Sequence, residues 1–146
     1  GPIRMVQAFL PHLKKQKNAV ILNVTSGIAL LPFAISPIYS ASKSGLRSYT
    51  QALRVQLKNT GIKVMDLVAP GSSTPLNDKF KSDDGFNPKM LMAPEKIVDA
   101  AIKGIQKNKD EIFPGLAKVM RIMSRLAPKL MISQAGKMGA SFMYGN

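Results

Sequence analysis

Two short apolar runs constrain the fold of this chain more than any other feature of its sequence. They are NAVILNVTSG, residues 18–27, and IKVMDLVAPG, residues 62–71. Continuous apolar runs of this length, rich in β-branched residues and closed by turn residues, are typical of strands in a parallel sheet. We therefore predict two such strands, and we expect the first to be buried on both of its faces.

Segments with helical periodicity lie before, between and after the two runs. The spacing of apolar residues predicts a helix in residues 3–16 and a second from about residue 38 to 59. A third helix is predicted over residues 93–108, with proline and an acid in its first turn, and residues 111–115 are predicted to hold a short third strand. This alternation predicts an α/β fold, in which right-handed crossovers place helices on the faces of a parallel sheet.

Two regions fall outside that alternation. Residues 72–92 are polar and broken by prolines, which predicts a loop. Residues 116–146 form a tail beyond a first unit of residues 1–115, and the tail begins with an amphipathic, basic helical pattern. For such a helix we favour packing on its own domain or on a partner subunit over peripheral membrane contact through residues 116–130.

The chain is strongly basic, and the distribution of its charges limits which kinds of partner it can bind. The net charge is +13, and residues 1–65 carry nine Lys or Arg and no acid. A balance of this kind leaves open a non-enzymatic basic module that binds a membrane surface or nucleic acid. We favour no nucleic-acid partner, because the bases are dispersed and are not interleaved with aromatic residues as in a single-strand binding platform.

The composition also narrows the chemistry of any site. The chain has no cysteine and a single histidine, His12, which excludes a disulfide framework, a thiolate metal site and a histidine cluster. No apolar run approaches the roughly 18 residues that a membrane span needs, and the N-terminus lacks the layout of a signal peptide. We therefore expect a cytoplasmic protein that works with hydroxyls, amines and carboxylates, without a metal.

One set of residues has the spacing of a proton-transfer site. Ser26 ends the first predicted strand, while Tyr39 and Lys43 stand four residues apart and so share one face of the second helix. A lysine ammonium beside a phenol favours the phenolate, which makes the tyrosine a usable general acid and base. Ser26 lies at the edge of a parallel sheet where ligands bind, and its hydroxyl could bind a substrate oxygen. The set suits reduction of a carbonyl or oxidation of an alcohol.

These motifs together resemble a known family. The pattern NVTSG, PIYSASKSGLRSYTQALRVQL and GIKVMDLVAPG is similar to the C-terminal, catalytic half of the short-chain dehydrogenase/reductase family. The resemblance covers about residues 1–115. It implies part of a Rossmann-type doubly wound parallel sheet with a helical C-terminal extension. It also implies an NAD(P)-dependent oxidoreductase, a small-molecule carbonyl or alcohol substrate, and a homo-oligomer.

The resemblance also implies roles for individual residues. Ser26 would orient the substrate carbonyl, Tyr39 would donate or accept the proton, and Lys43 would bind the nicotinamide ribose and tune Tyr39. The remaining cofactor-binding residues, for NADP or NAD, would be Pro70, Gly71 and Thr74. The family's glycine-rich cofactor turn, Gly-x-x-x-Gly-x-Gly, does not occur in this sequence. We therefore expect a fragment that is inactive alone.

Overall fold

The computed structural model describes residues 1–75 and 87–137. In chain order, the elements are α1 (Pro2–Leu13), β1 (Ala19–Ser26), a 3₁₀ turn (Gly27–Leu30), α2 (Pro37–Gln56), β2 (Ile62–Ala69), a second 3₁₀ turn (Pro88–Met90), α3 (Pro94–Gln106), β3 (Glu111–Ile112), α4 (Leu116–Leu126) and α5 (Pro128–Lys137). Three strands alternate with helices, so the predicted α/β fold is confirmed.

The three strands form one parallel sheet in the order β1-β2-β3. β1 and β2 are in register along their whole length, from Ala19 opposite Ile62 to Ser26 opposite Ala69. The carboxyl ends of both strands therefore meet at one edge of the sheet, which is where ligands bind in open α/β folds. Among the described strands, β1 and β3 are the two edge strands and β2 lies between them.

Helices pack on both faces of this sheet. The core under α1 and α2 joins apolar residues of those helices to β1 and β2, and its buried members are Val6, Ala19, Ile21, Leu53, Leu57, Ile62 and Val64. The core under α3 joins that helix to β2 and β3 through Met65, Leu67, Ile97, Ala101 and Ile112. β2 is therefore buried on both of its faces.

The prediction that β1 is buried on both faces is wrong for the chain as the structure describes it. Its residues alternate between buried and open positions, with Val20 45% and Val24 48% exposed. The physical reason is the placement of α3. Its buried residues contact β2 and β3, and no described helix covers this face of β1 along its length.

The segment that follows β2 is tied to the start of α3. The N–H of Met92 donates to the carbonyl of Gly71 at 2.9 Å, and the N–H of Ser73 donates to the carbonyl of Met92 at 3.0 Å. Both ends of the predicted loop are therefore held together at the base of α3. Residues 76–86 of that predicted loop lie outside the described residues.

The tail packs partly on the sheet edge. Ala117 of α4 is fully buried, and the sulfur of Met120 lies 2.8 Å from the position that a Cβ at Gly27 would occupy. α4 thus lies against the turn that follows β1. In the part of the chain that the structure describes, none of the helices is both long and apolar enough to cross a membrane.

Two helical glycines lead to a paired prediction about stability. A Cβ at Gly104 would overlap the side chain of Ile112, whereas a Cβ at Gly45 meets nothing within 4 Å. Gly104→Ala is expected to lower the free energy of unfolding by about 1–3 kcal/mol, because the buried Ile112 has to move. Gly45→Ala is expected to raise it by up to about 1 kcal/mol, because alanine favours the helix. Urea unfolding of both variants checks the pair, and equal effects would contradict this packing of α3.

Candidate active site

Ser26 lies where the sequence predicts a substrate-binding hydroxyl. It is the last residue of β1 and is half-buried. Its Oγ accepts the N–H of Ile28 at 3.3 Å, which caps the 3₁₀ turn that follows the strand. Because this contact uses Oγ as an acceptor, the hydroxyl proton can still be donated to a ligand.

Lys43 joins the helix of the site to the strand of the site. Its Nζ donates to the carbonyl of Val24 on β1 at 3.0 Å and lies 5.6 Å from the centroid of the Tyr39 ring. Tyr39 is 41% exposed, in the first turns of α2. The structure therefore brings Tyr39 and Lys43 together, and it holds Lys43 against the strand that ends at Ser26.

Two serines on α2 hold this helix against the turn after β1. The buried hydroxyl of Ser40 lies 3.3 Å from the carbonyls of both Ile28 and Leu31, which share its single proton. Ser44 donates to the carbonyl of Ala29 at 3.3 Å. These bonds satisfy carbonyls of the turn, and they hold the α2 turns that carry Tyr39 and Lys43 against the turn that Ser26 caps.

The other predicted residues follow β2 at the same edge of the sheet. Since Ser26 stands opposite Ala69, the next residues, Pro70 and Gly71, continue alongside the end of β1. Pro70 is buried, Gly71 is exposed and Thr74 is half-buried, with its N–H donating to the carbonyl of Ser72 at 2.9 Å. The structure places Pro70 and Gly71 at the sheet edge, and Thr74 in the segment that leaves it.

A surface groove of about 490 Å³ lies near this edge but is not the candidate site. Its lining includes Leu91, Met92, Leu116 and Val119, and it shares only Pro70 with the predicted residues. Proton-transfer chemistry requires the hydroxyl and amine groups at the end of β1, so we locate the candidate active site there.

A buried cluster of charged residues, which the sequence patterns did not predict, lies behind the site. Asp66 of β2 is fully buried and pairs with Arg47 of α2, and the hydroxyl of Thr25 donates to its Oδ1 at 2.6 Å. Arg47 also donates to Oε1 of Glu111 on β3, at 2.6 Å. Thr25 directly precedes Ser26, and Arg47 follows Lys43 by one helical turn. The cluster therefore ties the strand and the helix of the candidate site to the rest of the sheet.

The two carboxylates of this cluster respond differently to their surroundings. Burial raises the pKa of Asp66 above its ordinary value, although the Thr25 hydroxyl and Arg47 oppose that shift. Burial also acts to raise the pKa of Glu111, but the charge and hydrogen bond of Arg47, with smaller contributions from Gln51 and Arg121, bring it below its ordinary value. One signal in the sequence could have pointed to the cluster: Asp66 is a carboxylate inside an apolar run.

The sequence was also compared with known proteins. Residues 1–85, more than half of the chain, match the family described as short chain dehydrogenase. The chain belongs to the short chain dehydrogenase family. This match includes Ser26, Tyr39, Lys43 and the Pro70-Gly71 turn, and it confirms the resemblance stated from the sequence.

Two curated members of the family illustrate the extent of the similarity. An uncharacterized oxidoreductase, DltE, of Bacillus subtilis is 36% identical over 112 residues, which cover 77% of this chain and 44% of the relative. The 17-beta-hydroxysteroid dehydrogenase type 3 of Mus musculus is 32% identical over 101 residues, which cover 69% of this chain and 31% of the relative. The chain thus spans less than half the length of these two relatives.

A solved structure shares the fold. A short chain dehydrogenase from Burkholderia cenocepacia, solved in complex with NADP, superposes with a TM-score of 0.74 at 23% sequence identity. The superposition covers 88% of this chain and 53% of that protein. The Rossmann-like arrangement of helices around three parallel strands is therefore shared with about half of the solved short chain dehydrogenase.

Proposed function

We propose that this chain carries the proton-transfer part of an NAD(P)-dependent oxidoreductase that interconverts a carbonyl and an alcohol. The observation that carries the proposal is the position of Lys43, whose Nζ lies 5.6 Å from the Tyr39 ring centroid while it is bound to β1. This contact holds a cation beside an accessible phenol at the edge of a parallel sheet where ligands bind. Membership of an oxidoreductase family supports the same reaction class.

Each of the three residues has a distinct part in the proposed chemistry. In carbonyl reduction, Tyr39 gives its hydroxyl proton to the substrate oxygen, and in alcohol oxidation its phenolate takes that proton back. The ammonium of Lys43 stabilises the phenolate by its charge. Ser26 donates its hydroxyl proton in a hydrogen bond to the substrate oxygen, since the N–H of Ile28 occupies its acceptor side.

The residues at the sheet edge fit the nicotinamide end of a dinucleotide. Lys43 uses one N–H on the carbonyl of Val24, which leaves two for the ribose hydroxyls. We assign Tyr39 and Lys43 to the ribose, and Pro70, Gly71 and Thr74 to the nicotinamide side. A bound NAD or NADP would supply or accept the hydride at the substrate carbon. The solved relative in complex with NADP supports this choice of cofactor class.

The substrate is proposed to be a small carbonyl or alcohol compound. The experiment that tests the assignment is Tyr39→Phe in this chain joined to a dinucleotide-binding half. Loss of turnover with retained nucleotide binding supports the role of Tyr39, and retained turnover refutes it. The homo-oligomer and the cytoplasmic location that the sequence suggests stay predictions.

We also propose that the 146-residue chain does not turn over by itself and binds dinucleotide weakly. The reason is the lack of a Gly-x-x-x-Gly-x-Gly turn in its sequence, since such turns hold the pyrophosphate through backbone N–H groups. A fluorescence titration of the purified chain with NADPH checks this prediction, and the expected result is no saturable binding. The matched sample is the same chain joined to a dinucleotide-binding half, and this sample is expected to show saturable NADPH binding. Tight binding by the chain alone would contradict the proposal.

A further inference from the structure

The helix α4 has one broad apolar face, and only one side of that face is packed. Ala117 and Met120 face the turn after β1. Three other apolar residues are open, with Val119 53%, Ile122 50% and Leu126 77% exposed. Their spacing of three and four residues places them on one face of the helix. We call Val119, Ile122 and Leu126 the α4 stripe.

Basic residues border the α4 stripe on one side. At 3.6 residues per turn, Lys118, Arg121 and Arg125 lie between the stripe and the packed face. Arg121 already has partners: its Nη2 lies 3.5 Å from Oε2 of Glu111, and its guanidinium stacks on the ring of Phe113. Lys118 and Arg125 are exposed and have no ion-pair partner among residues 1–75 and 87–137.

Positive charge predominates around the stripe. Residues 116–137, which form α4 and α5, contain five bases and no acid. The neighbouring groove, which Val119 also lines, carries Lys89 and Lys96. Glu95 directly precedes Lys96 in the sequence. The surface therefore combines an open apolar stripe with an excess of positive charge.

We propose that the α4 stripe and its bordering bases lie on the surface of an anionic phospholipid bilayer. A helix with an apolar face and a basic border is the arrangement that places side chains at the boundary between headgroups and acyl chains. A second copy of this chain fits less well, because a symmetric contact would set Lys118 and Arg125 near their own copies. Nucleic acid would match the bases but would leave the apolar stripe in water.

A bilayer is a partner for α4 that the sequence alone did not favour. The periodicity of α4 predicts one apolar face and therefore packing, whereas in the structure only one side of that face is packed and the side with Val119, Ile122 and Leu126 is open. The proposal does not depend on the proposed enzymatic function, since neither Tyr39 nor a dinucleotide takes part. The two can therefore succeed or fail separately.

Cosedimentation of the purified chain with lipid vesicles tests the proposal. The chain is expected to sediment with vesicles of equimolar phosphatidylcholine and phosphatidylglycerol, and not with vesicles of phosphatidylcholine alone. The double variant Ile122→Gln/Leu126→Gln is expected to weaken partitioning roughly tenfold or more, because two open apolar side chains no longer enter the boundary. Lys118→Gln/Arg125→Gln is expected to weaken it by about fivefold for each base, and added salt is expected to weaken it in the unaltered chain.

The matched control is Val98→Gln/Ile102→Gln on α3, which replaces two apolar residues of similar exposure, 55% and 48%, on another helix. This control is expected to bind the anionic vesicles like the unaltered chain. Circular dichroism checks that each variant keeps its fold. Failure of the unaltered chain to sediment, or equal losses in the α3 and α4 variants, would overturn the proposal. The proposal would also be overturned if sedimentation velocity showed that the unaltered chain is a dimer that binds no vesicles, and that only the α4 variant dissociates this dimer.

Discussion

Tyr39→Phe is expected to abolish measurable turnover while leaving nucleotide binding largely intact, when this chain is joined to a dinucleotide-binding half. Phenylalanine keeps the ring that lies 5.6 Å from Lys43 Nζ but removes the only proton that Tyr39 can exchange with a substrate oxygen. A positioned general acid or base contributes about 10²–10⁴-fold to the rate, so a loss in kcat of that size is expected. Oxidation of NADPH in the presence of a panel of ketones measures turnover, and quenching titrations measure nucleotide affinity.

Tyr49→Phe is the matched control for this experiment. Tyr49 lies on the same helix, more than two helical turns beyond Tyr39. It packs against the core that α1 and α2 form with the sheet. The same loss of a hydroxyl at this position is expected to leave kcat unchanged. Turnover that survives in Tyr39→Phe would refute the proton-transfer role, and an equal loss in Tyr49→Phe would attribute the effect to folding of α2.

The candidate site was largely predictable because its geometry is local. Tyr39 and Lys43 share a face through helical spacing alone, and Ser26 ends a strand that its β-branched run already indicates. The parallel pairing of β1 and β2 follows from the fold class, and the register that the structure adds brings the Pro70-Gly71 turn to the same edge. Local spacing and one alternation of elements therefore suffice for this part of the molecule.

The parts that sequence analysis missed depend on contacts between distant segments. Arg47 meets Asp66 and Glu111 only after α2 has packed on β2 and β3, across separations of 19 and 64 residues. The exposure of Val20 depends on where α3 lies, and not on the residues around Val20. Periodicity identifies apolar positions, but it does not say which of them acquire a neighbour.

Arg47→Met is expected to lower the free energy of unfolding by about 3–5 kcal/mol at neutral pH. Removing one partner of a buried pair leaves an uncompensated charge, which is among the most destabilising changes that a side chain can undergo. Here the loss leaves two carboxylates without their shared cation, the fully buried Asp66 and the half-buried Glu111. Methionine keeps much of the length and the apolar stem of arginine, so the change measures the charge and the hydrogen bonds more than the packing. Urea unfolding of the chain gives the value.

The loss is expected to shrink as the pH falls, and its pH dependence separates the electrostatic cause from lost packing. In the unaltered chain the lowered pKa of Glu111 adds stability that is present above the ordinary pKa of glutamate and is lost as the pH falls through the lowered value. The variant lacks this contribution. Asp66, whose pKa is already raised by burial, loses an opposing cation, so its cost in the variant is largest at neutral pH and is relieved by protonation. Both carboxylates therefore act in the same direction.

Lys63→Met is the comparison that calibrates this result. Its Nζ lies 2.5 Å from Oδ1 of Asp110, but the side chains are 30% and 56% exposed. Exposed pairs contribute at most about 1 kcal/mol, because water screens their charges and ordering two long side chains costs entropy. If Arg47→Met and Lys63→Met cost the same, or if the cost of Arg47→Met does not change with pH, the buried cluster does not stabilise the strand and helix of the site by its charge. Suppose instead that only Arg47→Met causes a large, pH-dependent loss in the free energy of unfolding. The ion pairs of Arg47 with Asp66 and Glu111 would then also fix α2, with Tyr39 and Lys43, against the end of β1.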